Sequence, residues 1–174
     1  EGKLAFLERV LGAEPVLHPE VAAVAREVAD RWAGSLADLT RLAVPPRHAT
    51  AERQRSHPVE GDLAPPEPAS LGRYAGGPEL LRELANGTAR RVWTALPGAW
   101  PAEIAAAVAS VVAAGRGAVV VAPDARDVER IDRALAERLG EGRHVALTAE
   151  LGPEARDSRF LAVSRVAVPV VVGT

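Results

Sequence analysis

The chain has 174 residues, a formal net charge of −2, 48% apolar residues and only 3% aromatic ones. That length buries a real core, here assembled from 35 alanines and 22 valines together with leucine, and the near-neutral charge gives no bulk argument for nucleic acid or an anionic membrane. Lack of cysteine excludes disulfides, Cys-ligated zinc, iron–sulfur clusters and thiol catalysis within these residues, and no apolar stretch reaches the ~18 residues of a membrane span.

The amino end opens Glu1-Gly2-Lys3 in a chain without methionine, so either a removed leader or a window cut from something longer is expected. No charged-then-apolar leader is present, so nothing argues for export, and a cytoplasmic location is expected. Leu4, Phe6, Leu7, Val10 and Leu11 fit either a short helix or the end of a strand. Pro19 and Glu20 open a helix that carries Val21, Val24, Ala25, Val28 and Trp32 on one face. Gly34 stops it, Ser35 caps the next helix over Leu36 to Val44, and Pro45-Pro46 ends that one. From Pro45 to Ser70 prolines crowd and apolar residues thin out, which predicts a mobile linker or irregular loop. A short helix follows Gly76-Gly77, from Pro78 to Ala85, with Leu80, Leu81 and Leu84 as its buried stripe.

The second half alternates. Strands are expected at Arg91–Leu96, Gly117–Ala122, His144–Thr148 and Pro169–Val172, and helices at Pro101–Ala114, Asp124–Leu139 and Pro153–Val163. Strands apolar on both sides and separated by helices predict an α/β fold with a parallel sheet flanked by helices on both faces. Right-handed crossovers then bring every strand's carboxyl end to one edge, where a ligand belongs, so the loops of interest are 96–101, 122–125, 148–153 and 173 onward.

A phosphate-binding turn after the first strand needs glycines to present backbone N–H groups, a lysine for charge and a hydroxyl for magnesium. Pro97, Gly98, Ala99, Trp100, Pro101 and Ala102 supply one glycine, no lysine and no hydroxyl, and the prolines remove donors. Trp100 is expected to project bulk where phosphates lie, and no cofactor is expected at this loop. Asp124 reads either as a ribose-binding acid or as an N-cap, with the cap favoured because the glycine fingerprint is missing. His18, His48, His57 and His144 are scattered, so no metal site is expected. There is no Gly-x-Ser-x-Gly elbow. Arg47, His48, Arg53, Arg55 and His57 form a basic run that either touches phosphate or is a solvated face diluted by Glu52, Glu60 and Asp62.

In the order of its segments the chain resembles the PriA (primosomal protein N′) replication-restart family, in its divergent actinobacterial branch that lacks the Walker A motif. Glu14-Pro15-Val16-Leu17-His18-Pro19-Glu20 is similar to the family's E-P-V-L-T-P-E, with His18 in place of the threonine. Leu36 to Pro46 is similar to the close of its amino-terminal DNA-binding domain, and Gly115 to Pro123 with the helix behind it is similar to helicase lobe 1. Val145 to Gly152 resembles another stretch of that lobe, and Val170-Val171-Val172-Gly173-Thr174 resembles I-V-I-G-T-R. Where the family reads T-G-S-G-K-T-E, this chain has Pro97 to Glu103, with Pro101 standing for the lysine and Ala102 for the threonine.

The resemblance implies an internal slice. Residues 1–46 would be the carboxyl part of the DNA-binding domain, 47–77 a linker, and 78–174 a partial RecA-like helicase lobe 1. It implies replication restart at stalled forks, with branched or single-stranded DNA and primosome and helicase-loading proteins as partners, and no membrane. It implies DNA contact at Gly173 and Thr174, and the alternative that Gly-Thr merely ends a buried strand stands beside it. Zinc belongs to the family's cysteine-rich region outside this chain, and the lost phosphate loop makes ATP hydrolysis by this copy doubtful. An active ATP-dependent 3′–5′ helicase, and an unrelated α/β enzyme for a small ligand, are the alternatives.

Overall fold

A computed structural model describes Gly12, residues 14–87 and residues 89–174; the Leu4–Leu11 segment lies outside the described residues. The chain divides into two compact units, Glu1–Pro46 and Arg47–Thr174. Among the described residues there are seven α-helices and one three-stranded sheet. No helix among them is long and apolar enough to cross a membrane.

The first unit holds α1 (Pro19–Arg31) and α2 (Leu36–Ala43), packed on each other. Ser35 begins α2: its Oγ accepts from the Asp38 amide at 3.2 Å and donates to the Asp38 carboxylate at 2.6 Å, which satisfies one of the helix's orphan donors. The buried side chains of α1 are the small ones, Ala25 and Ala29. Val21, Val24 and Trp32, placed by the periodicity on the same face as Ala25, are exposed.

The second unit begins with α3 (Ala49–Arg53) inside the stretch expected to be a mobile loop. This segment is held by side chains. Asp157, buried on α7 (Pro153–Ser164), accepts from the His48 amide at 2.7 Å, Arg165 donates to the Gln54 carbonyl at 2.7 Å, and Ser158 bonds Gln54 at 3.0 Å. The local pattern is silent here because the partners lie more than a hundred residues away. A 3-10 turn (Pro68–Leu71) and α4 (Gly77–Asn86) come next and pack against α5 (Trp100–Ala113).

The sheet contains β1 (Ala118–Val121), β2 (His144–Leu147) and β3 (Val170–Gly173), all parallel, in the order β1-β3-β2. β3 is central, paired on both sides, and its Val170 and Val172 are fully buried. Between β1 and β2 runs α6 (Ala125–Leu139), whose Val128, Ile131, Leu135 and Leu139 meet Ala105, Val108 and Ala109 of α5 over one sheet face. On the opposite face α7 lies over β2. The expected cover on both faces is therefore only partly present, since Val119 and Val121 of β1 are 76% and 77% exposed.

The strand expected at Arg91–Leu96 is absent. Val92 is fully exposed and the segment joins no sheet. Its side chains take it elsewhere: Arg91 bonds Glu83, Trp93 meets Tyr74 edge-on at 5.6 Å, and the Leu96 amide donates to the Tyr74 hydroxyl at 2.9 Å. A residue pattern permits a strand, but only a neighbour with free backbone groups makes one.

Asp124 resolves as the N-cap of α6, its Oδ1 accepting from the Asp127 amide at 2.9 Å. Asp124→Ala should cost about 1 kcal/mol, the ordinary worth of such a cap. Urea unfolding checks this, with a midpoint unchanged from the parent chain as the contrary result.

Candidate functional site

Parallel pairing of Val121 and Leu147 with Gly173 brings the ends of all three strands to one edge. Three short loops leave from it: Ala122-Pro123-Asp124, Thr148 to Gly152, and Gly173-Thr174. The first is committed to capping. The second is tied down by Arg156, which donates to the carbonyl of Ala149 at 2.7 Å and reaches those of Thr148 and Leu151 at 3.3 and 3.4 Å. Arg159 donates to the Ala146 carbonyl at 2.6 Å. Of the third, Thr174 is exposed while Gly173 is packed into the sheet. A Cβ on Gly173 would lie 2.5 Å from the Leu147 carbonyl oxygen, so the close approach of β2 and β3 is what requires glycine here.

The loop expected to bind phosphate, or to have lost that ability, stands before α5. Because 91–96 is not a strand, this loop does not leave the sheet. Pro97, Gly98 and Ala99 form a turn, with Gly98 at a φ of +98°. Trp100 is the first residue of α5 and packs, half-buried, on the α5–α6–sheet core instead of standing free in the loop. Pro101 lies in the first turn and has no N–H, and Ala102 carries no hydroxyl, so the helix's own first turn supplies neither a cation nor a full set of donors, and the neighbouring Arg73 is engaged by Glu103.

The strongest polar arrangement in the unit centres on Glu103, 4% exposed in the first turn of α5. Its Oε1 accepts from Arg73 Nε at 2.6 Å, with Arg73 Nη2 against the same oxygen, and its Oε2 accepts from the Tyr74 hydroxyl at 2.7 Å. The Tyr74 oxygen in turn accepts from the Leu96 amide. One carboxylate thus links the turn before α4, the extended 91–96 segment and the start of α5. For Arg73, loss of hydration lowers the pKa, and the bonds to Glu103 and Tyr74 outweigh it and leave the value raised. Arg91, hydrogen-bonded to Glu83 and attracted by its charge, is also held above its ordinary value.

Beside this network lies a cavity of about 400 Å³ lined by Tyr74, Leu80, Trp93, Glu103, Ile104 and Val108. Sequence reasoning misses Arg73, Tyr74 and Trp93 because they belong to no spaced motif. The scarcity of aromatics is the one available signal, since Tyr74 is the single tyrosine.

In the basic run Arg47 is paired with Glu52, and Arg53 folds back to the Ala49 carbonyl at 3.1 Å with its charge uncompensated by that bond. His144, at the start of β2, bonds Asp132 of α6 at 3.0 Å. Among the described residues no group of three or more His, Cys, Asp or Glu is placed to hold a metal ion.

No family model matches the chain, and no solved structure matches it. Among curated proteins it is similar to the probable replication restart protein PriA of Mycobacterium tuberculosis and to that of Mycobacterium bovis, at 43% identity over 176 aligned positions, covering 99% of this chain. To the corresponding protein of Mycobacterium leprae it is 41% identical over 179 positions. The chain spans 27% of the length of the M. tuberculosis relative.

Proposed function

We propose, from the premise that this chain is homologous along 99% of its length to a segment of the replication restart proteins PriA, that it serves replication restart by engaging DNA and scaffolding assembly at stalled forks, without motor activity. The observation that carries the absence of a motor is the start of α5. There Pro101 and Ala102 stand where phosphate chemistry needs a cation and a hydroxyl, and among the described residues no strand precedes the loop.

On this reading residues 1–46 are the close of a DNA-binding domain, 47–77 are a connecting segment whose α3 is docked on α7, and 78–174 are part of a helicase-like lobe. Branched or single-stranded DNA and helicase-loading proteins are the partners, in the cytoplasm. Gly173 and Thr174 sit at the strand-end edge, where the exposed Thr174 hydroxyl suits a phosphate and Gly173 holds the strand ends close beside it. Zinc, if the protein uses it, is held by residues outside this chain.

Titration calorimetry of the full-length protein with Mg-ATP should give no binding heat, while fork DNA binds with an affinity that falls steeply as salt rises. Heat of nucleotide binding would return the active-helicase reading. Absence of any fork binding would remove the scaffold role and leave a small-ligand α/β enzyme.

A further inference from the structure

The cavity beside the Glu103 network takes no part in DNA engagement, yet it is finished like a ligand site. It measures about 400 Å³, within the usual range for small-molecule pockets. Leu80 of α4 and Ile104 and Val108 of α5 make its walls apolar. The chain's single tyrosine and one of its three tryptophans complete them. Tyr74 and Trp93 stand at 83° to each other with ring centroids 5.6 Å apart, and so form a right-angled corner. A flat guest lies against one ring and turns its edge to the other, the arrangement that aromatic groups favour. The corner is built in advance. Tyr74 is held by Glu103 and by the Leu96 amide. Gly77, also on the lining, is pressed so close to Leu71 that a Cβ would lie 2.1 Å from the Leu71 carbonyl oxygen.

Charge decides which guest fits. Every ionised side chain on the lining already has a counter-charge: Glu79 pairs with Arg82, Glu83 with Arg91, and Glu103 with Arg73. A phosphate or carboxylate finds no unpaired cation there, and an ammonium finds no unpaired carboxylate. Charged guests therefore lose hydration with nothing to replace it. One polar side chain is left over. Trp93 Nε1 is buried and has no hydrogen-bond partner, a costly state that an acceptor on the guest relieves. A small turn of the half-buried indole brings donor and acceptor together.

We propose that this cavity binds an uncharged, planar heteroaromatic molecule whose carbonyl or ring nitrogen accepts from the Trp93 indole. A nucleotide is the wrong guest, because its phosphates need cations that are committed elsewhere. Occupancy braces Trp93 against Tyr74 and ties the 91–96 segment more firmly to α4 and α5. The site therefore serves ligand control of that segment, not chemistry.

The test is saturation-transfer NMR on the full-length protein with three probes: caffeine, which is flat, uncharged and rich in acceptors; toluene, which has none; and adenosine monophosphate. Caffeine and toluene should bind with dissociation constants of about 1 mM or tighter, and the nucleotide more weakly than caffeine. Leu80→Trp fills the cavity and should weaken both uncharged probes by about tenfold or more. Trp93→Phe keeps the ring and removes the donor, so caffeine should weaken by about fivefold while toluene stays within about twofold. Should Leu80→Trp fail to fold, the split between the two probes in Trp93→Phe decides the matter. Absence of binding by either uncharged probe overturns the proposal, since the cavity is then filled or closed in the whole protein. Tighter binding of the nucleotide than of caffeine overturns it too, as does an equal loss of both uncharged probes in Trp93→Phe. Binding untouched by a folded Leu80→Trp places the probes elsewhere and has the same force. Fork binding is measured separately and is indifferent to each of these results.

Discussion

Glu103→Ala should lower the stability of the Arg47–Thr174 unit by about 2 kcal/mol, an estimate set between the 3–5 kcal/mol of a fully buried broken pair and the ~1 kcal/mol of an exposed one. The intermediate figure comes from geometry: the Glu103 side chain is 5% exposed but that of Arg73 is 40% exposed, so water rescues the orphaned guanidinium. The Tyr74 hydroxyl loses its acceptor and its hold on the Leu96 amide loosens. In thermal unfolding this corresponds to a fall of about 7 °C for a unit of this size. Exchange at Leu96 should quicken with it. Glu103→Gln, which keeps an acceptor for Arg73 or Tyr74, should lose about half as much. Should the alanine variant melt with the parent chain, Glu103 would not be the pin that fixes the start of α5.

Gly173→Ala should cost about 3 kcal/mol, the upper part of the range for overpacking a close-packed site. The new methyl meets the Leu147 carbonyl oxygen at 2.5 Å, and backbone on both sides leaves no flexible atom to yield. Relief requires prising β2 from β3, so protection should fall at Ala146 and Leu147 as well as at Gly173. A substitution there reports folding before it reports DNA. Thr174→Val is the informative companion, since Thr174 is exposed and the change keeps shape while removing the hydroxyl. It should leave the melting temperature in place and weaken fork-DNA binding by a few-fold, the worth of about one neutral hydrogen bond. An alanine at 173 tolerated without loss of stability would show that the two strands separate easily, and glycine would then be needed there for another reason.

Apart from α3, which forms where a mobile loop was expected, the α-helices were legible to within a residue or so because their signals are local. Pro19, Ser35, Asp124 and Pro153 start helices where the sequence puts them, and the apolar spacing of α6 matches its buried face. Three of the four expected strands exist, two of them valine-rich. The Arg91–Leu96 segment passes the same composition test and fails because Tyr74, Trp93 and Glu83 hold it against α4 and α5. The site was legible only as a deficit. The residues missing from Pro97 to Ala102 can be read in order, whereas the Arg73–Glu103–Tyr74 network joins positions about thirty apart and has no signature in spacing.

By itself the sequence determined that this is an α/β chain of alanine and valine without thiol chemistry, with a helix start that lacks the lysine and hydroxyl of phosphate binding, and with segment order like that of replication restart proteins. Those properties depend on residue identity and near-neighbour pattern, which the chain carries in one dimension. Only the tertiary structure decided that the sheet has three strands, that Trp100 faces the core, that Glu103 is a buried pin, that Gly173 is demanded by strand contact, and that β1 is left with an open edge. Each of these turns on which distant backbone or side chain comes within bonding distance, and burial and hydrogen bonding acquire their sign only once that neighbour is in place.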